Sequence, residues 1–473
     1  MIRENEQATS QLVRALKLRD LVLFHIVAVL GLRHLATSAE FGPGVLVIWL
    51  VAALFFFVPQ VLAVIELSSR FPNEGGIYYW TKRAFGEGHG FLCGWCYWVN
   101  NALYYPNLLI STAAIATYII GKGESGLDKR WIYVLPVTLI ALWIAVALNV
   151  IGASTGKWLQ NAGGVGTYIP GIILILLGLY GATTLPAANE MTAANLMPDF
   201  TNISALNLLA TIAFAFAGME LVSTMGDEVE QPRRNLPRSV YIAAPLIAVA
   251  YILGTGAVLW LAPSQTFDRV TGFMQAINAG ANHLGGWLWW VAPLCAALYT
   301  VGTIGGVGAW LTGPARIAFV IGLDRYFPPA FGRVHPRWRT PYVAIIIQGV
   351  LATIFLLLSV LGEGTEVKEV YLILLDTQLL IYFIPYVYLF IVFLFYKRRG
   401  ETEAEVMLAP GGAAGSWAIG LSGLCLTLVA MGFAMIPPPD TANPWLFRAK
   451  VIGGALGFIL IGGLIYWRAK SKQ

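Results

Sequence analysis

Apolar runs of roughly 20 residues recur from one end of this 473-residue chain to the other, and nothing else in it constrains the fold so tightly. We read twelve of them. They lie at about 18–43, 45–68, 90–120, 131–151, 159–181, 203–226, 239–262, 286–320, 341–361, 369–396, 415–436 and 449–468. A helix of that length crosses the hydrocarbon core of a bilayer. Lipid offers no partner to a backbone N–H or C=O, so segments of this kind are helices that satisfy their own hydrogen bonds. The expected class is therefore an all-α polytopic membrane protein. Composition agrees: 12% of residues are charged, against about 25% in soluble domains, and mean hydropathy is +0.70.

Charge placement gives an orientation. With the N-terminus inside, most of the 30 Lys and Arg fall in cytoplasmic connections. Examples are Arg14, Lys17 and Arg19; Arg233, Arg234 and Arg238; and Lys397, Arg398 and Arg399. An even number of spans then leaves both termini cytoplasmic in a multi-pass protein of the plasma or inner membrane. The net charge of +5 reflects this asymmetry and implies no nucleic-acid partner. The first twenty residues are polar and mixed in charge, so no cleavable signal is expected. Cys93, Cys96, Cys295 and Cys425 read as packing cysteines, and the C-x-x-C at 93–96 has no partner pair.

Two of the apolar runs are interrupted. The first carries "GLRHLA", Gly31 to Ala36; the sixth carries "AGMEL", with Gly218 and Glu220. A broken helix survives in lipid only where it lines a cavity. Paired breaks in corresponding positions of two halves point to a transporter site built on inverted repeats. Each break also offers a glycine, an apolar residue and then a charge, Arg33 in one and Glu220 in the other. Intramembrane ionisable residues are candidates for function. Two readings of Arg33 stay open: it holds a substrate carboxylate, or it pairs with Glu220. His34 is a further candidate, as the one nearby side chain that titrates around pH 6.5. Asp376, in "YLILLDTQLL", is a candidate for gating or proton relay.

Three longer motifs carry a family resemblance. They are "VPQVLAVIELSSRFPNEGGIYYWTKRAFG" at 58–86, "FAFAGMELVSTMGDEVEQPRRNLPRS" at 214–239 and "GPARIAFVIGLDRYFPPAFGRVHPRWRTP" at 313–341. Over nearly its whole length the chain resembles the amino acid–polyamine–organocation superfamily of secondary transporters. "NNALYYP" at 100–106 is similar to the third helix of its polyamine-uptake and L-type branches.

The resemblance implies a leucine-transporter-type fold of two inverted five-helix repeats plus two extra helices. That divides the chain into a tail at 1–17, a first repeat at 18–181, a second repeat at 203–396, two further helices at 415–468 and a tail at 469–473. It also implies positions. The first break, Gly31, Leu32, Arg33, His34 and Ala36, would face a substrate carboxylate. The carbonyls of Phe216, Ala217 and Gly218 would face its amine. Glu220 maps to the acid assigned to gating or proton coupling. Trp310 maps to an aromatic of the eighth helix near the substrate, and Tyr97, Asn101 and Tyr104 to a substrate-facing stripe of the third. Two departures stand out. The first break is bulky and charged where many relatives have small residues. No lysine occurs between Lys157 and Glu190, where some proton-coupled relatives carry one. Thr167 lies near that place, and Thr300 and Thr303 of the eighth helix offer hydroxyls to a sodium ion.

The expected function is transport of amino acids or related amines by alternating access, without covalent chemistry and without a cofactor or resident metal. A polyamine carrier and a membrane-embedded amino acid sensor are the alternatives. The further partners expected are a coupling proton or sodium ion and the bilayer. The spacings "GAAGS" at 412–416 and "GGALG" at 453–457 leave a homodimer open.

Overall fold

A computed structural model describes residues 12–123, 125–198, 203–264, 268, 270–361, 366–399, 406–437 and 443–472; of 153–155, 203–207, 361 and 366–376 it describes the backbone alone. Twelve helices among the described residues are long and apolar enough to cross a bilayer. In chain order spans 1 to 12 are Leu18–Ala39, Val45–Arg70, Glu87–Ile120, Trp131–Ile151, Gly156–Thr184, Leu208–Glu228, Pro232–Leu261, Gly286–Leu323, Tyr342–Val360, Thr377–Arg399, Gly412–Ala434 and Pro444–Lys470. Each coincides with one of the expected runs, with ends that differ by up to eight residues. The hydropathy pattern does not foresee a π-helical turn in span 2, Ala53–Phe57. Nor does it foresee the helices in two connections, Ile77–Phe85 and Gly272–Leu284.

Spans 1 and 6 are the discontinuous ones. Around them, spans 5 and 8 make the most extensive helix–helix contact, and small residues allow the approach. A Cβ added at Gly166 would stand 2.3 Å from the Leu298 carbonyl oxygen, and one at Gly305 2.7 Å from the Gly163 Cα. Spans 11 and 12 are peripheral: 28% and 17% of their apolar windows are buried, against 67% for span 1 and 83% for span 6.

At the end of the bundle that carries the N-terminal segment, a polar seam closes the molecule. Leu16 and Val229 form a parallel bridge, with Leu16 N–H donating to Glu228 O at 3.1 Å and Glu230 N–H to Leu16 O at 2.9 Å. Ala15 N–H also donates to Glu228 O, at 2.9 Å. The Glu228 carboxylate takes a forked guanidinium from Arg316 of span 8, at 2.9 Å and 3.2 Å. Lys157 donates to Ala15 O at 2.9 Å, and Asp20 accepts from Asn161 at 2.7 Å. The connection between spans 2 and 3 leans on the same seam: Gly75 N–H donates to Thr224 O, and the Glu74 carboxylate accepts from Asp227 N–H. Burial, and the carboxylates of Glu228 and Asp227 nearby, hold the Glu74 carboxyl well above the usual carboxylate range, with Arg316 pulling the other way.

Candidate functional site

The break in span 1 is short. One helix ends at Val29, Leu30 to Leu32 are non-helical, and a second helix runs over Arg33–Ala39. In span 6 the helix ends at Phe216, and the chain resumes as a 3-10 helix, Leu221–Glu228, rather than an α-helix. Gly218 lies between them at φ +120°, and an added Cβ would meet the Trp310 ring at 3.1 Å and Val29 Cγ2 at 3.2 Å. Only glycine suits that backbone and that space.

Tyr251 of span 7 joins the two breaks. Its hydroxyl accepts from Gly31 N–H at 2.9 Å and faces two freed carbonyls, Val29 O at 2.5 Å and Ala215 O at 3.1 Å. Trp49 of span 2 stacks on its ring at 4.5 Å, fixing the side chain. Trp310 of span 8 ties in as well, its indole N–H donating to Ala28 O at 2.9 Å. Aromatic side chains from neighbouring helices thus stand as partners beside the backbone groups freed by the breaks.

Glu220 and Arg33 are apart, so the pairing reading of the sequence is overturned. Glu220 is fully buried and receives three neutral donors: Tyr97 and Tyr386 hydroxyls at 2.8 Å on Oε1, and the Gln60 amide at 3.0 Å on Oε2. Arg33 is 8% exposed and turns towards span 3. It donates to the Tyr104 hydroxyl at 2.6 Å, Asn107 Oδ1 at 2.9 Å and Ser111 Oγ at 3.3 Å.

Two adjoining cavities flank the first break. One, a narrow space of about 20 Å³, lies against spans 3, 6 and 10 and is lined by Asn100, Asn101, Phe214, Ala217 and Tyr382. The other, about 30 Å³, lies against spans 5 and 8 and is lined by Gly31, Arg33, Thr167, Tyr299 and Thr303. Ala28, Val29, His34, Tyr104 and Trp310 line both, so they are two lobes around one wall. No carboxylate lines either lobe among the described residues. The amide oxygens of Asn100 and Asn101 are buried without a hydrogen-bond partner among those residues. Asn101 cannot be turned round, because its NH2 donates to Tyr97 O at 2.7 Å.

The candidates from sequence therefore divide. Gly31, Arg33, His34, Asn101, Tyr104, Ala217 and Trp310 line the lobes. Leu32 and Ala36 are buried away from them, and Phe216 stacks on Phe57 at 4.5 Å. Tyr97 stands one layer back, on Glu220. The Gly218 carbonyl accepts from Leu221 N–H at 3.1 Å. The side chain of Asp376, in the helix Glu366–Arg399, lies outside the described residues. Thr300 and Thr303 donate to carbonyls of their own helix. No His, Cys, Asp and Glu group suited to a metal occurs among the described residues. Sequence reasoning missed Tyr251, Gln60, Tyr382 and Tyr386. Gln60 carried a signal, a lone amide inside the apolar run "VPQVLAV".

Known proteins bear on this geometry. A family profile described as amino acid permease matches residues 16–457. An uncharacterized transporter of Legionella pneumophila is 29% identical over 455 residues, 95% of this chain and 96% of the relative. A probable agmatine/putrescine antiporter of Lactococcus lactis is 24% identical, covering 90% and 89% of the two chains. Among solved structures, MhsT in complex with L-phenylalanine superposes with a TM-score of 0.60 over 94% of this chain and 98% of that one, at 15% identity, a likeness of fold. Two broken helices around one buried cavity, twelve spans and a profile match over almost the full length place this chain in the amino acid permease family, membrane transporters of leucine-transporter-type fold and not enzymes.

Proposed function

We propose that the protein carries amino acids or related amines through the two-lobed cavity between the breaks of spans 1 and 6, by alternating access. The single observation behind this is the Tyr251 hydroxyl, which links both breaks beside one cavity. A movement of one break is thereby felt by the other, and a solute bound between them biases both. The closed seam of Leu16, Glu228 and Arg316 is one gate, on the cytoplasmic side if the termini lie inside as the distribution of Lys and Arg implies. Glu220 is the coupling group: an intramembrane acid held by three neutral donors, the last residue of the break in span 6.

A panel of labelled amino acids, amines and organic acids, offered to proteoliposomes at several pH values with and without sodium, tests this. Saturable uptake or exchange of an amine supports it; none with any amine sinks it. If Glu220 couples a proton, Glu220→Gln flattens the pH dependence of transport, and an unchanged profile removes that role. A diamine carrier, the reading suggested by the Lactococcus relative, is disfavoured by Arg33 in the lining and by the lack of a carboxylate there.

A further inference from the structure

Spans 10 and 11 pack closely near one end. An added Cβ at Gly420 would stand 2.4 Å from Leu394 Cδ2, and one at Gly423 2.2 Å from the Phe390 ring. Beyond that contact the two helices border a groove of about 470 Å³, far roomier than either lobe of the central cavity. Its walls are Ile384, Val387, Tyr388 and Ile391 of span 10 and Leu428 and Met431 of span 11. Ile391 is 37% exposed and Leu428 52%, so the groove opens outward at membrane depth, whereas Tyr386 of the same helix is buried on Glu220. No Asp or Glu lines it among the described residues. An apolar hollow left empty forfeits dispersion contacts along its lining, and hydrocarbon restores them.

Phe85 and His89 form one end of the groove, where the His89 ring is hydrogen-bonded to the Tyr388 hydroxyl at 2.9 Å. That end meets cations. Phe85 packs on Phe395 at 5.1 Å, and the Arg399 guanidinium lies over the Phe395 ring at 4.5 Å. Arg83 lies over the Phe71 ring at 4.6 Å, and Phe71 packs on Tyr396 at 4.8 Å. Arg83, Arg398 and Arg399 are all exposed. A ring under a guanidinium supports its face and leaves phosphate recognition to its N–H edge. The hollow suits hydrocarbon and the arginines suit an anion, so the ligand carries both.

Depth narrows the choice. Ile384 and Arg399 share the helix Glu366–Arg399 and stand about 22 Å apart along it at a rise of about 1.5 Å per residue. One leaflet with its headgroups is about 20–22 Å thick, half of a bilayer of about 40–45 Å. A lipid whose phosphate sits at the arginines thus ends its chain near Ile384. These arginines lie at the end of the bundle that carries the N-terminal seam, since the connection holding Phe71 and Arg83 leans on that seam through Gly75. With the termini inside, this is the cytoplasmic leaflet, whose anionic lipids attract Lys and Arg.

We propose that the groove between spans 10 and 11 binds one anionic phospholipid, with an acyl chain along Ile384, Val387, Ile391, Leu428 and Met431 and the phosphate at Arg83 and Arg399. A second copy of the chain suits the groove less well, because it would have to bring an apolar ridge and an anion to the same line. The site lies apart from the central cavity and stands whichever solute is carried.

The test recovers the full chain from liposomes of equimolar phosphatidylglycerol and phosphatidylcholine with matched chains, strips loose lipid with detergent, and counts what stays bound by native mass spectrometry. One phosphatidylglycerol per chain is expected, preferred over phosphatidylcholine by roughly tenfold, a modest effect for two arginines at the membrane surface. Leu428→Trp and Met431→Trp, which fill the groove, should each lose it. Arg83→Gln combined with Arg399→Gln should bring the preference below about twofold. Equal retention of the two lipids by the wild-type chain, no retained lipid, or retention unmoved by both filling variants overturns the proposal. A wild-type dimer that the filling variants split also overturns it and assigns the groove to a second copy. Glycerol 3-phosphate, the anion without its chains, should leave the lipid in place; displacement by it would reduce the site to the arginines and sink the groove's part. Phosphatidylglycerol with a diazirine in its acyl chain keeps the test open if the tryptophan variants fail to insert. On the wild-type chain its cross-links should concentrate at 384–391 and 428–431, and labelling spread evenly over the lipid-facing spans would count against the site.

Discussion

Tyr251 shows how much one hydroxyl can organise. Tyr251→Phe keeps the ring that stacks on Trp49 and removes the oxygen that serves Gly31, Val29 and Ala215. The protein should still insert and fold, while transport falls about tenfold, the effect of roughly 1.4 kcal/mol lost from the ordered breaks. Reconstituted uptake alongside a thermal-stability assay checks this; equal losses in both would reduce Tyr251 to a packing residue. Gly218→Ala is a harsher change. At φ +120° an L side chain is strained by about 1–3 kcal/mol, and Trp310 would have to move too. Transport is expected to be lost with the chain still in the membrane, and near-normal uptake would show that the break relaxes freely.

At the scale of elements, the closing seam has a built-in pH response. With the seam closed, Glu74 holds its proton well above the usual carboxylate range; once the seam opens to water, it loses that proton at an ordinary pH. The closed form therefore binds the extra proton. Raising pH upward from the ordinary carboxylate range withdraws stability from the closed seam, and lowering it restores that stability. Hydrogen exchange at Ala15, Leu16 and Glu230, corrected for the intrinsic rate, should speed up as pH rises. Glu74→Gln should abolish that slope, and a slope that persists in the variant would place the response elsewhere.

Across the whole molecule, the spans and the two breaks were legible because lipid permits so few solutions. A 20-residue apolar run must be helical, and a glycine beside a charge inside one must face a cavity. The partners of the charges were not legible. Arg33 and Glu220 have opposite signs and matching positions in the two breaks, yet the guanidinium rises along span 3 and the carboxylate sinks among tyrosines. Periodicity places a residue on a helix face but leaves open which neighbour a long side chain reaches. Tyr104 and Ser111, a continuation of the stripe begun by Tyr97 and Asn101, held the available clue. Tyr251 gave none, since a lone tyrosine in an apolar helix reads as packing. Because Arg33 and Glu220 do not touch, reversing both charges should cost about the sum of the single reversals. Recovery in the double variant would contradict the geometry.

The Tyr251 hydroxyl has one hydrogen and two carbonyls to give it to. Whichever it chooses, Val29 or Ala215, the other is one donor short. The joint between the two halves is therefore permanently undersaturated, and exchanging one arrangement for another costs it no bond. A side chain with two donors in that place, as in Tyr251→Gln, would satisfy both carbonyls at once. If it fits, the protein should be harder to melt and slower to turn over, a hinge that has been glued.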